Sequence, residues 1–106
     1  MLVLFPHSNL RTAKFRPALI VQASDLQTGL PQVIVAMITS RMFRAPHPSR
    51  VPIFLSSPQG QQSGLLSDSV VMTDNLATVV ESEIDREIGV LSMVEIDTAL
   101  RHTLGL

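Results

Sequence analysis

Cysteine, tryptophan and tyrosine are absent from the 106-residue chain, and four phenylalanines supply all of its aromatic surface. Without cysteine there is no disulfide framework, thiolate nucleophile, CxxC redox pair or Cys-based zinc site. With so few rings there is no platform on which successive bases would stack. Charged residues are scarce at 16%, hydrophobic residues reach 45%, and mean hydropathy is +0.31. Disordered chains show the opposite balance, so a disordered tail or linker is excluded. The five glycines and seven prolines have no period, which excludes a collagen-like chain, and no repeat occurs at solenoid spacing. The interior apolar runs, Pro17 to Val21 and Val33 to Ile38, fall far short of the roughly 18 residues that a membrane span needs. The apolar start from Met1 to Pro6 is short and has no basic leader, unlike a signal peptide. The expectation is a cytoplasmic protein with no membrane contact.

A chain of this length holds one core, so residues 1–106 are expected to form a single domain. Much apolar residue in so small a domain predicts that some of it is buried against a second copy, most simply in a symmetric homodimer. Formal net charge is −1, but it is unevenly spread. Residues 1–50 carry Arg11, Lys14, Arg16, Arg41, Arg44 and Arg50 against Asp25 alone, a balance of +5. Residues 51–106 carry Arg86 and Arg101 against eight carboxylates, a balance of −6. A basic segment is the usual footprint of a phosphate-rich partner; equally, the two halves can neutralise each other across the fold.

The pattern predicts short strands at Leu2–Phe5 (closed by Pro6), Pro17–Gln22, Gln32–Thr39, Val51–Leu55 and Ser69–Thr73. Gln32–Thr39 is β-branched and continuously apolar, which predicts burial on both faces. Pro52 favours an edge position for its strand. Residues 7–15, 24–31, 41–49 and 56–63 read as loops and turns. Residues 81–91 are either a last strand or an acidic turn leading to one. Ser92 and Glu95 have capping-box spacing before a helix whose apolar face is Met93, Ile96, Leu100 and Leu104, with Gly105 as its stop. The expected fold is mainly β (α+β), a small antiparallel barrel-like sheet with a C-terminal helix.

No phosphate loop, dinucleotide fingerprint or HExxH occurs, and His7, His47 and His102 lack metal-ligand spacing, so no metal or cofactor is expected. Four segments carry a resemblance. Arg16-Pro17-Ala18-Leu19-Ile20-Val21 resembles the RPALVV element of the MazF/PemK toxin family. Ala36-Met37-Ile38-Thr39-Ser40 is similar to its ITS strand end. Gly64-Leu65-Leu66-Ser67-Asp68-Ser69-Val70-Val71, followed by Asp74, resembles its GLxxDSVV segment. Ile88-Gly89-Val90-Leu91-Ser92 resembles its IGxLS element. The four stand in the family's order and span nearly the whole chain.

The resemblance implies an SH3-like, CcdB-like barrel that dimerises. It also implies a type II toxin, a metal-independent endoribonuclease that cuts single-stranded RNA to 2′,3′-cyclic phosphate and 5′-hydroxyl ends. By the same resemblance Arg16 and Thr39 match the catalytic positions, and Asp74 matches a position that shapes the site, either orienting Arg16 or acting as a base. Lys14, Phe15, Ser40, Arg41 and Asn75 are the implied RNA contacts, with Arg11 and Arg44 in the same loops. A cognate antitoxin with a flexible acidic tail is the implied protein partner. Two departures stand out: the chain begins inside the family's first strand, and Asn75 stands where many members have Gln. The alternative is a non-enzymatic module on the same barrel, either a relative of the gyrase-poisoning CcdB toxins or a degenerate toxin that binds only its antitoxin.

Overall fold

The computed structural model describes residues 1–8, 13–23 and 26–106, with backbone alone at residues 5–8 and 13–14. Strands β1 (Leu2–Ser8), β2 (Ala13–Ile20), β3 (Gln32–Thr39), β4 (Arg50–Ile53), β5 (Ser69–Val80) and β6 (Arg86–Gly89) form one sheet in the order β4-β5-β3-β2-β1-β6. Every pairing is antiparallel. The expected barrel is an open sheet: among the described residues, edge strands β4 and β6 do not pair with each other. Helix α1 (Pro58–Ser63) and helix α2 (Val94–Leu104) complete the fold, with 3₁₀ turns at Met42–Arg44 and Glu81–Glu83.

The strands differ from expectation for local reasons. β1 continues through Pro6, which lies opposite Phe15 of β2 and beyond Leu4, the last residue paired with β6. β2 begins earlier and ends earlier than Pro17–Gln22. β3 has the expected bounds, and Pro52 does lie on an edge strand. Residues 81–91 contain both alternatives, a turn and then β6. Segment 56–63 holds a helix: Ser57 caps it, its Oγ accepting from Gly60 N at 3.0 Å, Pro58 occupies its first turn, and Gly64 closes it at φ 75°.

The β3 side chains do point into apolar surroundings on both faces. Ala36 and Ile38 join Leu2, Leu19, Val51, Ile53 and Val71 on the face covered by α2. Val35 joins Ala18 and Val79 on the other. Ile96 and Ala99 are the helix's buried contribution, and complete burial of Ile96 contributes about 1.5–3 kcal/mol. Met93 and Leu100 pack beside them, whereas Leu104 is exposed. The capping box does not form. α2 begins at Val94 with Met93 at the cap, and Ser92 Oγ lies 3.4 Å from Val94 N. Gly105 ends the helix at φ 71°, as its sequence position suggests.

β5 is longer than expected because it contains an excursion. Ala36 pairs with Leu76, but the next β3 residue, Met37, pairs with Met72. Thr73, Asp74 and Asn75 are therefore left without β3 partners and form a wide bulge, a device that re-aims side chains beside sites.

Candidate functional site

On the face opposite α2, the β2–β3 ladder runs from Ile20↔Val35 to Ala18↔Met37 and stops. Strand alternation puts Arg16 on the same face as Ala18, and Thr39 on the same face as Met37. Beyond the last rung Arg16 and Thr39 line a common open cleft of about 320 Å³. It is also lined by Ser40, Arg41, Arg44 and Asn75, with Met37 and Met72 as its apolar part. A second cavity of about 280 Å³ shares Arg16, Ile38 and Ser40 and adds Phe15, Leu66 and Arg86. Arg16 thus stands between two concavities, one polar and one largely apolar.

The Thr39 Oγ1 accepts from Arg41 N at 3.2 Å. That bond uses a lone pair and leaves the hydroxyl proton available to a ligand oxygen. Among the described residues the ion pairs are Arg50–Asp74 at 2.9 Å and Arg86–Asp85 at 3.9 Å. Arg16, Arg41 and Arg44 thus have no carboxylate partner there, and the cleft presents concentrated positive charge to an anion.

On the β5 bulge, Asp74 pairs with Arg50. Its carboxylate accepts from Arg50 Nε at 3.4 Å and from Arg50 Nη2 at 2.9 Å. The Arg50 hydrogen bond holds the Asp74 carboxyl below its ordinary pKa, outweighing the opposing effect of burial. A group with a depressed folded-state pKa stabilises the fold above its unfolded value and loses that contribution as pH falls through the lowered one. The Asp74 side chain is 32% exposed, so the contribution is that of a surface pair, about 0.2–1 kcal/mol. Melting curves of wild type and Asp74→Asn are expected to differ by a constant small amount between pH 6 and 8. They should begin to approach each other below about pH 4 and converge as pH falls through the lowered native value, where the carboxylate is protonated. A gap that widens in acid contradicts this.

Of the other expected contacts, Ser40, Arg41 and Asn75 line the cleft and Phe15 lines the second cavity. Lys14 pairs with His7 through backbone register, and its side chain lies outside the described residues, as does Arg11. Sequence reading gave Arg50 no role. Its importance depends on its register opposite Met72, which no local signal announces.

Residues 1–104 match the family described as PemK-like, MazF-like toxin of type II toxin-antitoxin system. Solved structures agree. The chain is 26% identical to Mycobacterium tuberculosis toxin MazF-mt6, with a TM-score of 0.71 over 98% of this chain and 97% of that one. A mycobacterial endoribonuclease in complex with its cognate antitoxin is 25% identical, at a TM-score of 0.71 over 98% and 92%. A further Mtb toxin is 30% identical, at a TM-score of 0.64 over 85% and 89%.

Proposed function

The chain belongs to the PemK-like, MazF-like toxin family of type II toxin-antitoxin systems, and from that premise we propose that it is a metal-independent endoribonuclease acting on single-stranded RNA. The observation that carries this reading is the meeting of Arg16 and Thr39 in one cationic cleft on the open face of the sheet. The substrate brings its own nucleophile. The RNA 2′-hydroxyl attacks the adjacent phosphorus, the bond to the 5′-oxygen breaks, and a 2′,3′-cyclic phosphate and a 5′-hydroxyl remain. The protein's task is to hold the phosphate in line and to stabilise the charge that gathers on its non-bridging oxygens.

Arg16 supplies a planar, permanently charged fork that matches two phosphate oxygens. Thr39 donates its free hydroxyl proton to one of them, and Ser40 stands beside it. Arg41 and Arg44 guide the flanking phosphates, and Asn75 offers an amide to a base edge. Asp74 is a poor base in this scheme, because a good one has a pKa near the working pH and the Asp74 value is depressed. It acts by holding Arg50. The second cavity, apolar but flanked by Arg16 and Arg86, accommodates a base or an apolar residue of an acidic antitoxin tail, with Phe15 at its wall. RNA and antitoxin then compete for the same cationic surface; a mycobacterial relative is known in complex with its cognate antitoxin. Homodimerisation fits the exposed apolar residues Ile34, Leu76 and Val80, which share one face of the β3–β5 ladder.

Thr39 provides a test that separates its hydroxyl from its shape. Thr39→Ser keeps the donor and is expected to retain cleavage within a few-fold. Thr39→Val keeps the volume and is expected to lose about 10- to 100-fold in kcat, the effect of one charge-assisted hydrogen bond. Single-turnover cleavage with analysis of the product ends reads both the rate and the cyclic phosphate. Equal rates for Thr39→Val and wild type would remove Thr39 from the mechanism.

A further inference from the structure

We infer that Arg50 is a positioning residue that holds the two walls of the cleft in register and so sets the sequence selectivity of cleavage; this rests on the ribonuclease reading above. Arg50 opens β4 and stands opposite Met72 on the cleft face of the sheet. Its guanidinium reaches both ways. Nε and Nη2 donate to the two carboxylate oxygens of Asp74, at 3.4 and 2.9 Å, on the β5 bulge. Nη1 donates to the Arg44 carbonyl at 3.2 Å, on the 3₁₀ turn. The bulge carries Asn75 and the turn carries Arg44, with Arg41 just before it, and all three line the same cleft. One rigid, planar group therefore ties the wall that meets base edges to the wall that meets phosphates.

The base of the bulge is secured separately. Thr73 N and Oγ1 both donate to the Ser49 carbonyl, at 3.0 and 2.6 Å, and Thr73 Oγ1 lies 2.8 Å from Thr103 Oγ1 on α2. Thr73 and Ser49 are buried, and these bonds do not involve Arg50. Removing the guanidinium thus frees the tip of the bulge at Asp74–Asn75 while its root stays in place. The Asn75 amide has a donor end and an acceptor end, and it discriminates between bases only where its position is fixed to a fraction of an ångström. Lysine keeps the charge but offers a single flexible ammonium in place of the fork, so it cannot reproduce the two-sided clamp.

The test compares wild type with Arg50→Lys and Asp74→Asn. The first measurement is the ratio of kcat/KM for a preferred RNA to kcat/KM for single-base variants next to the scissile phosphate. The second is relaxation dispersion of the backbone amides of Asn75 and of Arg41 to Arg44 in the RNA-free protein. For Arg50→Lys the ratio is expected to fall roughly tenfold, the scale of effect that a sub-ångström loosening produces. The melting temperature should change by no more than a few degrees, and μs–ms exchange should appear at both walls where wild type has none. Asp74→Asn should reproduce the exchange at Asn75 and part of the loss in ratio. An unchanged ratio in folded Arg50→Lys overturns the inference, as does exchange confined to one wall, or a loss that tracks only the unfolded fraction. If wild type cuts no RNA, the ribonuclease reading fails. The dispersion measurement then decides alone: exchange at both walls supports the clamp for whatever ligand the cleft takes, and quiet walls refute it.

Discussion

Replacing Arg16 by alanine is expected to slow cleavage of a preferred RNA by about 10²–10³-fold, the loss seen when one preorganised donor to a developing oxyanion is removed. Arg16 stands at the junction of both cavities, beyond the last rung of the β2–β3 ladder. It is exposed, so the fold should be indifferent to the change and the melting temperature should stay within about 2 °C of wild type. Arg16→Lys separates charge from geometry. A lysine keeps the positive potential of the cleft and loses the two parallel hydrogen bonds. Binding of a 2′-O-methyl RNA, which cannot react, should therefore be nearly retained, while single-turnover cleavage falls by about one to two orders of magnitude. A rate for Arg16→Ala within threefold of wild type would mean that the charge on the phosphate is met elsewhere.

The second large effect concerns stability. Gly64→Ala is expected to destabilise the protein by about 2–4 kcal/mol, combining the left-handed backbone penalty with overpacking. Gly64 sits at φ 75°, and a Cβ there would lie 1.9 Å from the Ile88 carbonyl oxygen. That oxygen belongs to β6, whose Gly89 in turn meets Ser63 so closely that a Cβ would lie 2.3 Å from its backbone. Two glycines thus allow the end of α1 to lie directly on β6, and neither backbone can yield without moving an element. Gly29 supplies the control. It has nearly the same φ, 76°, but no atom within 4 Å of its would-be Cβ. Gly29→Ala should carry only the backbone penalty, about 1 kcal/mol. Chemical denaturation of the two variants should separate them by at least 1 kcal/mol, a sizeable part of the ~5–15 kcal/mol that holds a domain together. Equal destabilisation would show that the contact between α1 and β6 yields freely. Because Gly64 and Leu66 also line the cavity beside Arg16, the substitution should disturb activity together with stability.

Some of this was legible in the chain and some was not. β3 was readable because a β-branched apolar run lies between Pro31 and the polar Ser40–Arg41, and its residues pack on both faces, Ala36 and Ile38 in the cluster that includes Ile96 and Ala99 of α2, and Val35 with Ala18 and Val79. The C-terminal helix was readable from its spacing, but its N-cap was not, since Ser92 competes with Met93 for a difference of one residue. Helix α1 was hidden by its glutamines, which carry no apolar periodicity. Its signals were the Ser57-Pro58 entry and the Gly64 exit. The β5 bulge has no local signature, because a three-residue excursion is defined only by which β3 residue meets Met72.

The site divides in the same way. Physical chemistry alone reached a basic N-terminal half and stopped. The family motifs singled out Arg16 and Thr39, and the sheet brings them together in one cleft. Asp74 was visible as a motif residue, but its partner was not, since Arg50 lies 24 positions away and approaches it through the β4–β5 pairing. A side chain whose role is to hold others in place is the kind of residue that sequence spacing conceals, because its meaning resides in the register of two strands.

The central claim, that this toxin-family chain cuts RNA without a metal, is tested most directly by incubating a long single-stranded RNA of mixed sequence with the purified, folded protein in excess EDTA. Discrete fragments ending in 2′,3′-cyclic phosphate are expected from wild type, and none from Arg16→Ala prepared identically. Intact RNA in both lanes would contradict the claim and leave the cleft as a binding surface, and equal cleavage in both would trace the activity to a source other than Arg16.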